Sequence, residues 1–327
     1  MIAGRFEKKF LLIGDLCVDI FMQIPDYPAK GGDGCSTRSV VQSGGSAANT
    51  AIALAHLGTT PRLLTHCGDD LWARELLPTL EKEGVWIDRI VKEELSSTGL
   101  TFLAVTPDGE RTMFTHRGAN SHLKQQEITP ELFAGVQMLH LSGYALLADP
   151  QSTAVLKAIR IAREKGIGVS LDIGVEPAYK KKELLLGILP DLTLLVLGEG
   201  EALALTGAPE TPGAIGFLLD HGVQVIGLKR GAAGCLLATK TARVHSPGFP
   251  VNVVDTTGAG DAFSAGMIFG YSQDWDLEAT ALLANAMGAL ASTRWGAGSN
   301  LPSKNEIFAF LAQQTAAPRQ RVMELLK

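Results

Sequence analysis

The densest chemistry in the chain lies in nine residues, Asp255-Thr256-Thr257-Gly258-Ala259-Gly260-Asp261-Ala262-Phe263. A strand-like run, Val251 to Val254, leads in, and an apolar helix with small residues leads out. Glycines at 258 and 260 let the backbone turn tightly and approach another group closely. The amides of residues 258–261 would then sit at a helix N-terminus, where unpaired N–H groups and the dipole attract anions. Read alone, G-x-G-D serves a plain helix N-cap as well, with Asp261 steadying the first turn. Two hydroxyls and a second carboxylate within the same few residues favour a phosphate-handling loop. Phosphoryl transfer asks the protein to position a donor, spread developing charge and take a proton from the attacking hydroxyl. Asp261 is placed to be that base, and the helix terminus should favour its ionised form.

A second constellation is Ser43-Gly44-Gly45-Ser46-Ala47-Ala48-Asn49-Thr50. Paired glycines before an alanine-rich helix allow a ligand to lie against the backbone, and Asn49 offers both a donor and an acceptor. A close-packed helix start, with Ser46 as its cap, is the alternative. Asp15 and Asp19 follow the first strand, where they are either solvated loop carboxylates or a grip on the hydroxyls of a polyol.

These residues need a scaffold. Short apolar runs at Phe10–Ile13, Arg62–Thr65, Met138–Leu141, Gly168–Leu171, Leu192–Leu197, Gln224–Leu228 and Cys235–Ala238 read as strands. Helices are expected at Ser46–Leu57, Asp70–Glu83, Ser152–Lys165, Gly200–Leu205 and Pro212–Leu219. Three more follow, at about Gly260–Tyr271, Leu277–Arg294 and Ser303–Gln313. The alternation implies an α/β fold: a three-layer α/β/α sandwich around a mainly parallel sheet, with ligands beyond the carboxyl ends of its strands. Two segments break the alternation, about 16–41 and 97–117. In the second, Thr101–Thr106 and Arg111–Thr115 flank the turn signal Pro107-Asp108-Gly109-Glu110, an antiparallel hairpin pattern. Both segments are expected to build a small β-rich lid, the whole chain 1–327 forming one domain.

Composition removes several classes of function. The 327 residues are 46% hydrophobic and 19% charged, the mix of an ordinary globular protein. Acids outnumber Lys plus Arg by 34 to 29, a formal charge of -5, which argues against a nucleic-acid partner. Asp15 and Asp19 interrupt the apolar N-terminal stretch, and Ala281–Ala291 is too short to span, so neither a membrane segment nor an export signal is expected. The four cysteines are scattered, the usage of reduced thiols in a cytoplasmic protein. Walker A, an early G-x-G-x-x-G, His-Glu-x-x-His and a nucleophile elbow are all missing. His56 reads as a structural residue.

Taken in order, the Gly-Asp opening, the Gly-Gly helix near residue 45, the hairpin and the Asp-Thr-Thr-Gly-Ala-Gly-Asp loop resemble the ribokinase-like (PfkB) carbohydrate kinase family over nearly the whole chain. The resemblance implies a sandwich with a β lid, frequent dimerisation through that lid, and transfer of the γ-phosphate of ATP to a sugar or nucleoside hydroxyl. It implies Mg²⁺ and often K⁺. It assigns Asp261 as base and Gly258, Ala259 and Gly260 as the anion hole. Gly44, Gly45, Asn49, Asp19 and Asp15 match acceptor-binding positions. Lys229, with Gly231 and Gly234 just after it, and Asn285 match ATP-binding positions, while Glu201 matches the acid that steers Mg²⁺. Asp255 and Thr257, with Gly296 and Asn300, fall near the monovalent-cation site. Arg117 resembles the arginine that 2-keto-3-deoxygluconate kinases turn toward an acidic sugar, although the tyrosines usual there are absent; a surface ion pair is the alternative. The family's Asn-x-x-Glu is replaced by Gly198-Glu199-Gly200-Glu201, so that either water or Glu199 fills the gap or activity is modest. An ATP-dependent sugar kinase is therefore expected, with a nucleoside kinase or a sugar-binding regulator of weak phosphotransfer as alternatives.

Overall fold

The computed structural model describes residues 9–107, 111–314 and 319–327. Thirteen strands are described: β1 (Lys9–Ile13), β2 (Cys17–Gln23), β3 (Arg38–Gly44), β4 (Thr60–Gly68), β5 (Trp86–Glu93), β6 (Gly99–Val105), β7 (Arg111–His116), β8 (Val136–Ser142), β9 (Gly168–Asp172), β10 (Leu194–Gly198), β11 (Val225–Lys229), β12 (Cys235–Ala238) and β13 (Arg243–Ser246). Nine of them form one sheet in the order β13-β12-β11-β10-β9-β8-β1-β4-β5. Its pairings are parallel except β11 with β12 and β12 with β13.

Strand alternation buries both faces of that sheet. Phe10 and Leu12 of β1 enter one core while Leu11 and Ile13 enter the other; Leu194 and Val196 of β10 oppose Leu195 and Leu197 in the same way. Each fully buried aliphatic side chain contributes about 1.5–3 kcal/mol relative to exposure. Helices Ser46–His56, Leu71–Lys82, Ala259–Ser272 and Leu277–Ala291 cover the first face, and Gln151–Glu164 and Thr211–Asp220 cover the second. The result is the expected three-layer α/β/α sandwich.

The chain runs outward from β1 in one direction through β4 and β5, then returns to the other side of β1 through β8 and onward. The crevice beyond the carboxyl ends of β1 and β8 is thus the topological switch point, where ligands bind in such sheets. Above it stands a second sheet of four strands, β3-β2-β6-β7. It is the β-rich body expected of the two irregular segments. Its centre is a parallel β2–β6 pair, with antiparallel partners on either side. The hairpin β6–β7 is as read from the sequence, while most of its turn lies outside the described residues.

Several expectations are corrected. The run 251–254 forms no strand: Val253 and Val254 are 60% and 41% exposed, and the segment is tied instead through the amides of Val254 and Asp255 to the carbonyl of Ser292. The helix after Leu277 ends at Ala291 rather than Arg294. Strands β5 and β13 were not anticipated, because both are edge strands with half-exposed patterns. The short helices Val175–Lys180, Lys182–Ile188 and Arg319–Leu325 likewise lacked a full amphipathic period. Among the described residues no helix is long and apolar enough to cross a membrane.

Candidate active site

Three loops converge at the switch point. Gly258 caps the helix Ala259–Ser272 at φ 75°, a left-handed conformation, and a Cβ there would lie 2.6 Å from that of Ala297. Asp255 holds the loop shut: its Oδ1 accepts from the amide and hydroxyl of Thr257 at 3.0 and 2.8 Å, and its Oδ2 accepts from the Gly296 amide at 2.8 Å. Two residues on, the Gly298 amide donates to Asn49 Oδ1 at 3.2 Å. The loop, the 296–298 turn and the helix Ser46–His56 are thereby locked together.

Asp261 projects from the first turn of its helix into this junction. Ser46 Oγ donates to its Oδ1 and Asn49 Nδ2 to its Oδ2, both at 2.8 Å. Ser46 is therefore not the helix cap expected of it; Gly45 occupies that position, and the hydroxyl serves the carboxylate instead. Gly45 is required by its φ of 96° and by the Asp15 carbonyl, which a Cβ would approach to 2.3 Å. At Gly44 a Cβ would overlap the Asp19 carboxylate.

Burial works against the ionised form that the helix terminus was expected to favour at Asp261. Desolvation first, and the negative charge of Asp172 second, push its pKa up to about 6, against the hydrogen bonds from Asn49 and Ser46 and the charge of Lys229. Asp19 faces the same junction from β2 and is pushed up to about 7, by burial and then by Asp261, with a hydrogen bond from Thr101 opposing.

Lys229, at the end of β11, brings its ammonium beside the loop: a Cβ on Gly260 would stand 3.4 Å from its Nζ. That ammonium is held by Asp172, at 2.8 and 3.0 Å. Beyond Gly260 opens a cleft of about 550 Å³, lined among others by Gly231, Gly234, Phe263 and Asn285. Asn285 shapes its wall by donating to Ser246 and Pro247 at 3.0 Å. Glu201 accepts from the Gly198 amide at 2.8 Å, and burial raises its pKa. Glu199 does not fill the gap left at Gly198: it pairs with Arg230 at 3.1 Å and accepts from Thr211.

Arg117 is turned inward rather than left free for an acidic ligand. Its Nη2 and Nε reach the two oxygens of Asp15 at 2.6 and 3.2 Å, and Nη2 also donates to Gln151 Oε1 at 2.5 Å. Asp15 and Arg117 thus form a partly buried pair next to the Gly44-Gly45 turn, joined by a glutamine the sequence did not single out. His56 is structural, bridging Glu83 and the Leu301 carbonyl. All four cysteines are free thiols. Among the described residues no cluster of His, Cys, Asp and Glu forms a metal site.

Asp172, Ser264 and Gln151 escaped the sequence reading. For Asp172 a signal existed: an acid closing an apolar strand sits where parallel sheets gather ligands. Ser264 and Gln151 carry no such mark, since each acts through a contact made across the fold.

Amides, an ammonium and a hydrogen-bonded carboxyl gathered at one helix terminus suit an enzyme that moves a phosphoryl group onto an alcohol. Residues 9–304 match the pfkB family carbohydrate kinases, and the chain belongs to that family, making it a phosphotransferase with a hydroxyl acceptor. It is 31% identical to aminoimidazole riboside kinase of Salmonella typhimurium, over 96% of this chain and 98% of that one. It is 30% identical to fructokinase-1 of rice (Oryza sativa), over 82% and 88%. A ribokinase II of E. coli solved with ATP and Mg²⁺ is similar in structure, with a TM-score of 0.83 at 25% identity, covering 94% of this chain and 100% of that one. Kinases of sugars and of nucleosides are both among its relatives.

Proposed function

We propose that the protein is an ATP-dependent sugar kinase, transferring the γ-phosphate of ATP to a hydroxyl of a small carbohydrate. In this reading residues 1–327 work as one unit and the four-stranded sheet is a lid over the acceptor. The carrying observation is Asp261, gripped by Ser46 and Asn49 beside a glycine-lined cleft. The acceptor lies between Asp261, Asp19, Asn49 and the Gly44-Gly45 backbone. Asp261 takes the proton as the hydroxyl oxygen bonds to phosphorus and the bridging bond breaks, its electron pair leaving on ADP. The amides of Gly258, Ala259 and Gly260 and the Lys229 ammonium hold the charge on the transferring group.

The cleft fits ATP in volume, and Gly260 leaves the ammonium open to a phosphate. Gly231, Gly234 and Asn285 line the nucleotide end. Hard oxygen donors suit Mg²⁺, which neutralises phosphate charge when bound, and Glu201 would hold it through water. Asp255 and Thr257 support a K⁺ site through the loop they brace. Val41 and Phe114, 52% and 60% exposed on one face of the small sheet, support pairing of two copies there. The ion pair of Arg117 with Asp15 favours a neutral acceptor over an acidic one. The likeness to a riboside kinase favours, as a second reading, a nucleoside acceptor.

An ADP-release screen over ribose, fructose, 2-keto-3-deoxygluconate and nucleosides tests the class. Asp261→Asn is expected to lower kcat by about 10²–10⁴-fold, the span of general-base catalysis, while calorimetry shows ATP still bound. Unchanged turnover would remove the mechanism, and sugar binding without ADP formation would mark a regulator.

A further inference from the structure

Asp172 closes β9 with its carboxylate buried and all of its visible contacts directed at the reaction centre. Its two oxygens accept from Lys229 Nζ, and Oδ2 also accepts from Ser264 Oγ at 2.8 Å. Ser264 stands one turn beyond Asp261 on the same helix. One carboxylate therefore ties β9, β11 and the helix Ala259–Ser272 at the spot where the loop amides end. A lysine on its flexible four-carbon stem has no preferred geometry of its own, and a buried ammonium without a partner is costly. A two-point anchor answers both problems.

We propose that Asp172 is a positioning residue for phosphoryl transfer: it pins the Lys229 ammonium beside the Gly258–Gly260 amides, so that the cationic half of the phosphate seat exists before the nucleotide arrives. The inference rests on the kinase reading above. Asp172 acts on the base as well. Asp261 is faced by Ser46 and Asn49 from one helix, Asp19 from β2, Lys229 from β11, the Tyr144 hydroxyl and Asp172. Asp172 is the charge that lifts Asp261 most, and Lys229 pulls the other way.

Two variants separate this role from mere packing. Asp172→Asn keeps the shape, loosens one charge-assisted contact and should raise the KM for ATP about tenfold. It should also move the acid limb of the kcat/KM profile to lower pH by about one unit, because a repelling charge near the base is gone. Lys229→Gln should move that limb to higher pH. Packing alone predicts lost stability with no opposed shifts. Should Asp172→Asn not fold, Ser264→Ala removes one bond from the anchor and should raise the KM for ATP about threefold. An unchanged ATP dependence and an unmoved limb in a folded variant overturn the proposal, provided Asp261→Asn shows its expected loss of turnover. Undiminished turnover in Asp261→Asn would instead strike at the kinase reading.

Discussion

Asn49→Ala perturbs the proposed base without touching it. The amide donates to Asp261 Oδ2 at 2.8 Å, a bond that favours the ionised carboxylate, whose pKa is about 6. A hydrogen bond to a charged group contributes about 1.5–3 kcal/mol, which at about 1.4 kcal/mol per unit moves the pKa up by about one to two units. The base works deprotonated, so activity rises as pH climbs through its pKa. Shifting that point from about 6 to about 7–8 lowers the active fraction at neutral pH about twofold to tenfold, and about one unit above the new pKa most of the loss disappears. Initial rates from coupled ADP release across this range, at saturating ATP and saturating acceptor so that the contact of Asn49 with the acceptor drops out, locate the limb. Ser46→Ala removes the other donor and should move the limb the same way by less. A rate depressed equally at every pH, with the limb in place, would refute the link between these donors and the base. Asn49→Ala also strips the Gly298 amide of its acceptor, a stability loss of about 1–3 kcal/mol that urea melts measure independently.

Further expectations follow from backbone geometry. Gly45→Ala places a Cβ in a left-handed conformation and against the Asp15 carbonyl, so unfolding free energy should drop by about 3 kcal/mol or more; a loss below about 1 kcal/mol in denaturant titrations would contradict the strain. Gly198 has an extended φ of -85°, and the nearest atom to a Cβ there is Glu201 Cδ at 3.8 Å. Gly198→Asn should therefore change stability by no more than about 0.5 kcal/mol. It should also lower the Mg²⁺ concentration for half-maximal turnover; an unchanged requirement would separate Gly198 from metal handling.

The layered fold was legible because it is written in local period. Runs such as Phe10–Ile13 and Leu194–Leu197, too apolar for a surface strand and too short for a helix, imply a sheet buried on both faces. The loop 255–261 was legible for a similar reason: glycine spacing before a helix sets the positions of the amides by covalent connection alone. Edge strands such as β5 carry no comparable signature, since half-exposure erases the alternation. Val251–Val254 misled in the opposite sense, with β-branched residues and no neighbouring strand to pair them.

Which residues can do chemistry was a matter of sequence; which state they hold was not. Asp261 sits in the first turn of a helix by chain order, yet its raised pKa comes from burial and from Asp172, 89 positions away along the chain. Arg117 offers a fork of donors to any anion, and only folding showed that Asp15 takes it. Lys229 gains its place beside Gly260 from a carboxylate on another strand. Hydrogen bonds and charge interactions act across a few ångströms of space, so the partners that tune an acid or pin a cation are decided when distant segments are brought together.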